Sequence, residues 1–427
     1  MTALTRWAQS GLMSLTGEPG GFTDSSPAFA YAAFEVHLER LTQWLGLSNE
    51  DPLADPAVVL GGRARENNFT RGGQTSAGGA TRLIQGADGW GALSLARETD
   101  RELVPALLGT EIGNQDIWRA VEQSASSSVR ALVERAATMG MPTAMLGEAR
   151  QAAGTSVQIS KPRKLQLRDA VVVDLSALWA GPLSTAFLAA GGAQVIKVEF
   201  ANRPDGARQG NQRFFDWLGH RKLMCVIEDS AEGEAFLARL IDVADIVIEA
   251  SRPRALHQRG LAYDQRQHAD GKIWVRITGH GTKDGAEHRV AFGDDAAVAG
   301  GLVGRNRSGA PVFMGDAVAD PLTGVKVANE VAAAIDAGGG RFIDISMSGV
   351  AAEYASAITS LAVSGDTRKR PGEGWHGERR DDAMTPVSAP PRIPLSPPAH
   401  ALGEDNRVVR ALVASRESAS GVLPGHY

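Results

Sequence analysis

Between Ala170 and Ile345 the chain alternates short apolar runs with helical stretches, and this alternation constrains its fold more than any other feature. Ala170-Val-Val-Val-Asp174-Leu175 suits a strand buried on both faces. Ala180-Gly-Pro182 follows, with Pro placed for a first helical turn, and Gly191-Gly192 stops that helix near Ala190. Further strands are predicted over 194–199, 223–227, 246–249, 273–277 and 342–345. Ser230 can cap a helix whose apolar face holds Phe236, Leu237, Leu240 and Ile241. The expectation is an α/β fold with a doubly wound, mostly parallel, Rossmann-like sheet over 167–365.

The flanks read differently. Asp88-Gly89 lies between apolar runs at 81–85 and 90–95, a hairpin signal, with helical stretches around 28–45 and 114–138. Residues 1–155 are therefore read as a smaller α+β domain. The Lys161-Pro-Arg-Lys164 cluster places a linker at 156–166. Past 365 the chain is rich in Pro and Arg, an extended tail over 366–427 with a short helix near 406–414. A weak repeat relates 8–22 to 297–313, as if two related units were fused and trimmed.

Composition narrows the class. The 427 residues carry a net charge of −5 and a single cysteine, Cys225, which excludes a disulfide-stapled fold and a CxxC metal site. Mild acidity argues against nucleic acid as a partner. No apolar stretch approaches the roughly 18–20 residues of a membrane span, and residues 1–17 do not read as a signal peptide. The expected location is cytoplasmic.

Several residues could carry chemistry. The turn after the first large-domain strand offers only Gly181 of the three glycines a nicotinamide dinucleotide requires, and Trp179 crowds it. In Val312–Gly324, Asp320-Pro321 opens a long apolar helix. Asp320 is either an ordinary N-cap or a carboxylate nucleophile held beside a helix start. Asp294 and Asp295 form a second acidic pair before an apolar helix. Asp295 reads as a cap and Asp294 as a possible base, each raising the other's pKa if enclosed. His280 lies in a Gly-rich loop after the fifth strand of the large domain. Arg203 and Arg208 after the second strand, Arg221 and Lys222 before the third, and Arg252 and Arg254 after the fourth form a basic cluster where a phosphate-rich ligand could lie, since ligands of such folds sit at the carboxyl ends of the strands. No metal-ligand spacing is present, and the site is read as metal-free.

These segments together resemble the family III CoA-transferases. The resemblance rests on Asp174-Leu-Ser-Ala-Leu-Trp-Ala-Gly-Pro182, Gly192-Ala-Gln-Val-Ile-Lys-Val-Glu199, Arg221-Lys222 and Asp245-Ile-Val-Ile-Glu-Ala-Ser-Arg-Pro253. It continues through Ile277-Thr-Gly-His-Gly281, Gly293-Asp-Asp295, Val318-Ala-Asp320-Pro-Leu-Thr-Gly324 and Leu402-Gly-Glu-Asp-Asn406. It implies an acyl-CoA:carboxylate CoA-transferase with Asp320 as nucleophile, acting through an aspartyl anhydride and an aspartyl-CoA thioester. Trp179, Ala180, Gly181, Lys222, Ser251 and Arg252 stand where members contact CoA. Phe200 replaces an Arg common in the family and Ala250-Ser251 an Asn-Phe pair, leaving Arg203, Arg252 or Arg259 as substitutes. Coenzyme A is a substrate and no cofactor is expected. Backbone N–H groups of Gly72-Gly73 or Gly78-Gly79 could stabilise an oxyanion. The resemblance further implies a homodimer taking an acyl-CoA donor and a carboxylic acid acceptor. The small domain here precedes the large one, an unusual order. A CoA-thioester racemase or epimerase and a non-catalytic CoA-binding protein are the alternatives. The family's racemases use a histidine where this chain has Gly293-Asp-Asp295.

Overall fold

The computed structural model describes residues 1–21, 23–113, 115–149, 152–364 and 387–420. Helix α1, Ala28–Leu45, ends at Gly46, whose left-handed φ of 67° lets the chain turn away. Asp55 then accepts hydrogen bonds from the N–H groups of Ala57 and Val58, and Pro56 fills the first turn of α2, Pro56–Glu66.

The expected hairpin forms from β1, Thr81–Gly86, and β2, Gly89–Ser94. A third strand, β3, Thr143–Met145, pairs with β2. The helical stretch expected over 114–138 is two helices, α3, Ile117–Ala125, and α4, Val129–Thr138. Ser128 caps α4, and Asp88 of the hairpin turn accepts from the Ser128 hydroxyl at 2.7 Å and the Val129 N–H at 2.8 Å. Ile84, Leu93, Trp118, Leu132 and Val133 give this unit a core of its own.

The large sheet comprises β4, Gly154–Gln158; β5, Val171–Leu175; β6, Gln194–Phe200; β7, Leu223–Ile227; β8, Ile246–Glu249; β9, Ile273–Thr278; and β10, Arg341–Ser346. Its seven strands run in the order β4-β10-β9-β8-β5-β6-β7. Only the β4–β10 pairing is antiparallel. The connections include α5, Ala180–Ala190; α6, Gln212–Gly219; α7, Ala231–Val243; α8, Gly293–Ala299; and α9, Ala319–Asp336. Helix α10, Met347–Ser364, follows β10, and α11, Asn406–Ser420, follows the tail. The order reverses direction between β5 and β8, so the loops 176–179 and 250–252 flank the crevice where ligands of open parallel sheets bind.

The α/β expectation holds, while the packing redistributes the segments around it. Residues 1–66 do not join the hairpin unit: Trp7, Leu12, Phe34, Leu38 and Leu60 share one core with Leu183, Val325 and Val331. The apolar faces of α1 and α2 find their partners on α5, α9 and α10, leaving the separately cored unit at about 81–145. The stretch 156–166 is not a free connection. It begins inside β4, and the N–H groups of Ile159 and Arg163 bond the carbonyls of Gly340 and Gly338 at 2.8 Å each. In the tail, Ile393 is fully buried and its N–H reaches Glu66 Oε1 at 3.2 Å, so this part is an anchored strap. Asp405 and Asn406 accept from the N–H groups of Met224 and Val226 at 2.7 and 2.9 Å, covering the open edge of β7. Pro371 and Pro386 lie outside the described residues. No helix of the described residues is long and apolar enough to cross a membrane.

Candidate active site

Asp320 occupies the second position of α9, behind Val318 at the N-cap, and makes no side-chain bond to its own helix. The capping alternative therefore does not apply. Its carboxylate faces the start of α8, where a Cβ built on Gly293 would overlap both Asp320 Oδ2 and the Ala317 carbonyl. Only glycine leaves room there. Gly293→Ala should cost about 1–3 kcal/mol, read as a lower urea midpoint, because the Ala317 backbone cannot move aside. Ala317 is already held at φ +43°, a region that non-glycine residues seldom occupy.

Two neighbouring acids complete this pocket of charge. Asp294 Oδ1 accepts from the Ala317 N–H at 3.0 Å, fixing the turn that carries α9. Its Oδ2 lies 3.5 Å from the Thr81 hydroxyl of β1, and Ser76 also bonds it, so the hairpin unit reaches the site within one chain. Asp295 caps α8 through the Phe292 N–H at 3.0 Å, and its other oxygen is buried without a partner. Asp316, one turn before Asp320, is 2% exposed and lies 2.9 Å from Nη1 of Arg63 on α2 through both oxygens.

Burial sets the protonation of this cluster. It lifts Asp320 to about 7, with Asp294 and Asp316 adding to the rise and Arg63 opposing it. Burial and then Asp316 lift Asp294 to about 6. Burial also raises Asp295 and Asp316, the latter against the pull of Arg63. A carboxylate poised near neutrality is more basic than a free aspartate and stays available in ionised form at physiological pH.

The remaining expected residues fall into different places. His280 is buried with Nε2 unpartnered, and burial followed by Arg289 pushes it down to about 3, so it is a neutral imidazole. Trp179 is 3% exposed, edge-on to Phe214 at 5.3 Å, with the Arg63 guanidinium 5.2 Å from its ring centre. Ala180 and Gly181 are buried in the first turn of α5, where a Cβ on Gly181 would overlap the Ser176 side chain. Just before them, Leu178 is turned to φ +68°, and its N–H bonds Asp205 at 3.0 Å. Of the glycines considered for an oxyanion, Gly73 and Gly79 already donate their N–H groups to Gly17 and Ser76.

The basic residues sort by partner. Lys222 does not present its charge to the crevice: its side chain is 1% exposed and its ammonium bonds Asp174, Thr185 and the Pro182 carbonyl at 3.2, 2.7 and 2.7 Å. Arg208 pairs with Glu199, Arg221 with Asp51 and Arg259 with Glu234. Arg203 and Arg252 are exposed, with no ion pair among the described residues, and each lies close enough for mutual repulsion. Ser251, before Arg252, is partly exposed in the same loop. Arg97 of the hairpin unit lies near them but is paired with the buried Asp100; its Nη2 also bonds the Gly140 carbonyl at 3.1 Å, and Arg252 lies beside the open face of Gly140. Burial, Arg97 and Arg203 together lower Arg252.

Four participants escaped the sequence reading. Asp316 lies within the Val312–Gly324 segment, yet only its pairing with Arg63 marks it. Arg63 and Ser76 come from segments without a recognisable motif, and Thr81 from a strand read only as part of a hairpin; the fold brings them to Asp294 and Asp316.

The model of CoA-transferase family III matches residues 167–384. The chain is 30% identical over 229 residues to the succinyl-CoA–D-citramalate CoA-transferase of Chloroflexus aurantiacus, covering 49% of this chain and 56% of that one. It is 29% identical over 191 residues to the human succinyl-CoA:glutarate CoA-transferase, covering 41% and 44%. A hypothetical protein of Mycobacterium tuberculosis, known from a crystal structure, is similar at 25% identity and a TM-score of 0.42, covering 50% and 61%. The chain thus spans about half the length of the curated relatives it matches. With half of its length matched by the family model, and the Asp320 segment inside that half, the chain belongs to CoA-transferase family III.

Proposed function

We propose that this protein moves CoA from an acyl-CoA donor to a carboxylic acid acceptor, with Asp320 as the nucleophile. The observation that carries the reading is Asp320 itself: a carboxylate in the first turn of a long helix, free of capping duty, raised to about 7 and facing Gly293.

In the first step an Asp320 oxygen attacks the donor thioester carbonyl. The C–S bond breaks, CoA leaves as thiolate, and an acyl–aspartyl anhydride forms. The thiolate then attacks the aspartyl carbonyl, releasing the donor acid as carboxylate and leaving an Asp320–CoA thioester. The acceptor carboxylate reverses the sequence. Every step exchanges one acyl bond for another, so the chemistry asks the protein for positioning and for stabilisation of transient oxyanions. Arg203 and Arg252, without an ion pair among the described residues, supply positive charge for the CoA phosphates beside the loops that flank the β5/β8 crevice. Ser76 and Thr81 reach Asp294 from the same chain as Asp320, so the small unit contributes to the site in cis. A homodimer is the expected assembly, and light scattering tests it.

Intact-mass spectrometry after incubation with a panel of short acyl-CoAs, succinyl-CoA included, tests the reading. The expected result is a hydroxylamine-sensitive adduct of CoA mass. Tight CoA binding with no adduct from any member of the panel would overturn it. Deuterium exchange at the donor α-carbon without transfer would point to the racemase chemistry instead.

A further inference from the structure

An acceptor acid arrives at Asp320 as an anion, and the surroundings of Asp320 are already acidic. Asp294, Asp295 and Asp316 all lie within its electrostatic reach. Neutral His280 offers no countercharge. Among the described residues, a single cation acts on Asp294, Asp316 and Asp320 alike, and it is Arg63.

The placement of Arg63 is specific. Its Nη1 holds both oxygens of Asp316 at 2.9 Å. Its guanidinium lies over Trp179 at 5.2 Å and Phe69 at 5.8 Å from the ring centres, so two rings restrain the group. Nε and Nη2 have no hydrogen-bond partner among the described residues, and the side chain is 29% exposed. A guanidinium with one nitrogen anchored and two donors open is matched to a carboxylate, which it can hold through two parallel hydrogen bonds.

We propose, resting on the transfer reading above, that Arg63 receives the carboxylate of the acceptor acid beside Asp320. An oxygen of the held carboxylate attacks the carbonyl of the Asp320–CoA thioester. The C–S bond breaks, CoA departs as thiolate, and the negative charge passes from carboxylate to sulfur with no proton moved. By the reverse of the same step, Arg63 holds the donor acid as it leaves. Selectivity for carboxylates over water follows, since only a carboxylate meets the open donors with an opposite charge and two acceptor oxygens.

The test separates loading of Asp320 from its discharge. Wild type, Arg63→Lys and the paired variant Arg63→Gln/Asp316→Asn are loaded with the acyl-CoA that gives the adduct, then discharged by glutarate, succinate and mesaconate, or by hydroxylamine. Hydroxylamine is neutral and needs no anion site. The expected result is discharge by the carboxylates at least tenfold slower in both variants, with the hydroxylamine rate within threefold of wild type. The paired variant does not leave Asp316 as a buried carboxylate stripped of its cation, so it answers the question should Arg63→Lys fail to fold. Equal slowing by both classes of nucleophile, or no slowing, would overturn the role of Arg63. Absence of any adduct in wild type would overturn the transfer reading itself, a result distinct from either.

Discussion

Asp320→Asn should lower CoA transfer by about 10³-fold or more at pH 8 and, in the same protein, raise the melting temperature. The amide cannot form the anhydride, so the covalent route closes. The gain in stability follows from the position of the carboxyl. Its folded pKa of about 7 lies above its ordinary value of 3.8. Below about 4 both folded and unfolded chains hold the proton, and the group contributes nothing. Between about 4 and 7 the unfolded chain gives up a proton that the folded chain keeps, so stability falls as pH rises through that window and levels off above it. Asn removes that fall. Because Asp320 is only partly buried, solvent screening reduces the gain to about 1–2 kcal/mol, or roughly a few degrees. Melting curves of wild type and variant should converge at pH 4 and separate by pH 8. Unchanged transfer in the variant would remove Asp320 from the mechanism. Identical melting at both pH values would show that the carboxyl is not held in the unfavourable surroundings described here.

A trade of stability for reactivity explains why part of this site was legible in the sequence and part was not. The strands of the large sheet announce themselves because burial on both faces demands continuous apolar runs, as in 170–173, and the hairpin because Asp88-Gly89 supplies the turn. Asp320, Asp294 and Asp295 were legible as carboxylates next to helix starts, though local rules alone favour the cap. The structure separates the three: Asp295 caps, Asp294 ties the Ala317 turn, and Asp320 does neither. Arg63 and Asp316 were not legible, since 253 residues separate them and no local pattern links a helix of the N-terminal segment to the start of α9. The domain reading failed for a related reason. An amphipathic helix such as α1 shows in its sequence that it must be covered, but not which surface covers it.

Lys222 is the residue whose expected role changes most, and its replacement should have the largest effect on folding. Lys222→Met should destabilise the protein by about 3 kcal/mol, because it leaves Asp174 buried with one of its cations gone. Burial works against ionisation of Asp174, yet Lys222 and Lys197, with the hydroxyls of Ser176 and Thr185, hold it below the usual carboxylate range. Lys197 is already bonded to the Ser176 carbonyl and paired with Asp205, so it cannot replace the missing ammonium without breaking those contacts. Asp174→Asn/Lys222→Met should recover at least half of the loss, as expected when both charges are removed together rather than one alone. Arg252→Gln provides the opposite signature. Arg252 is exposed and has no ion pair among the described residues, so its melting temperature should stay within about 1 °C of wild type while CoA binding weakens about tenfold. If Lys222→Met melted like wild type and lost CoA affinity instead, the ammonium would leave the interior to meet the ligand. The loop 176–179 would then have to open whenever CoA binds. Melting with and without saturating CoA distinguishes the two, because a purely structural lysine leaves the ligand-induced shift unchanged in size.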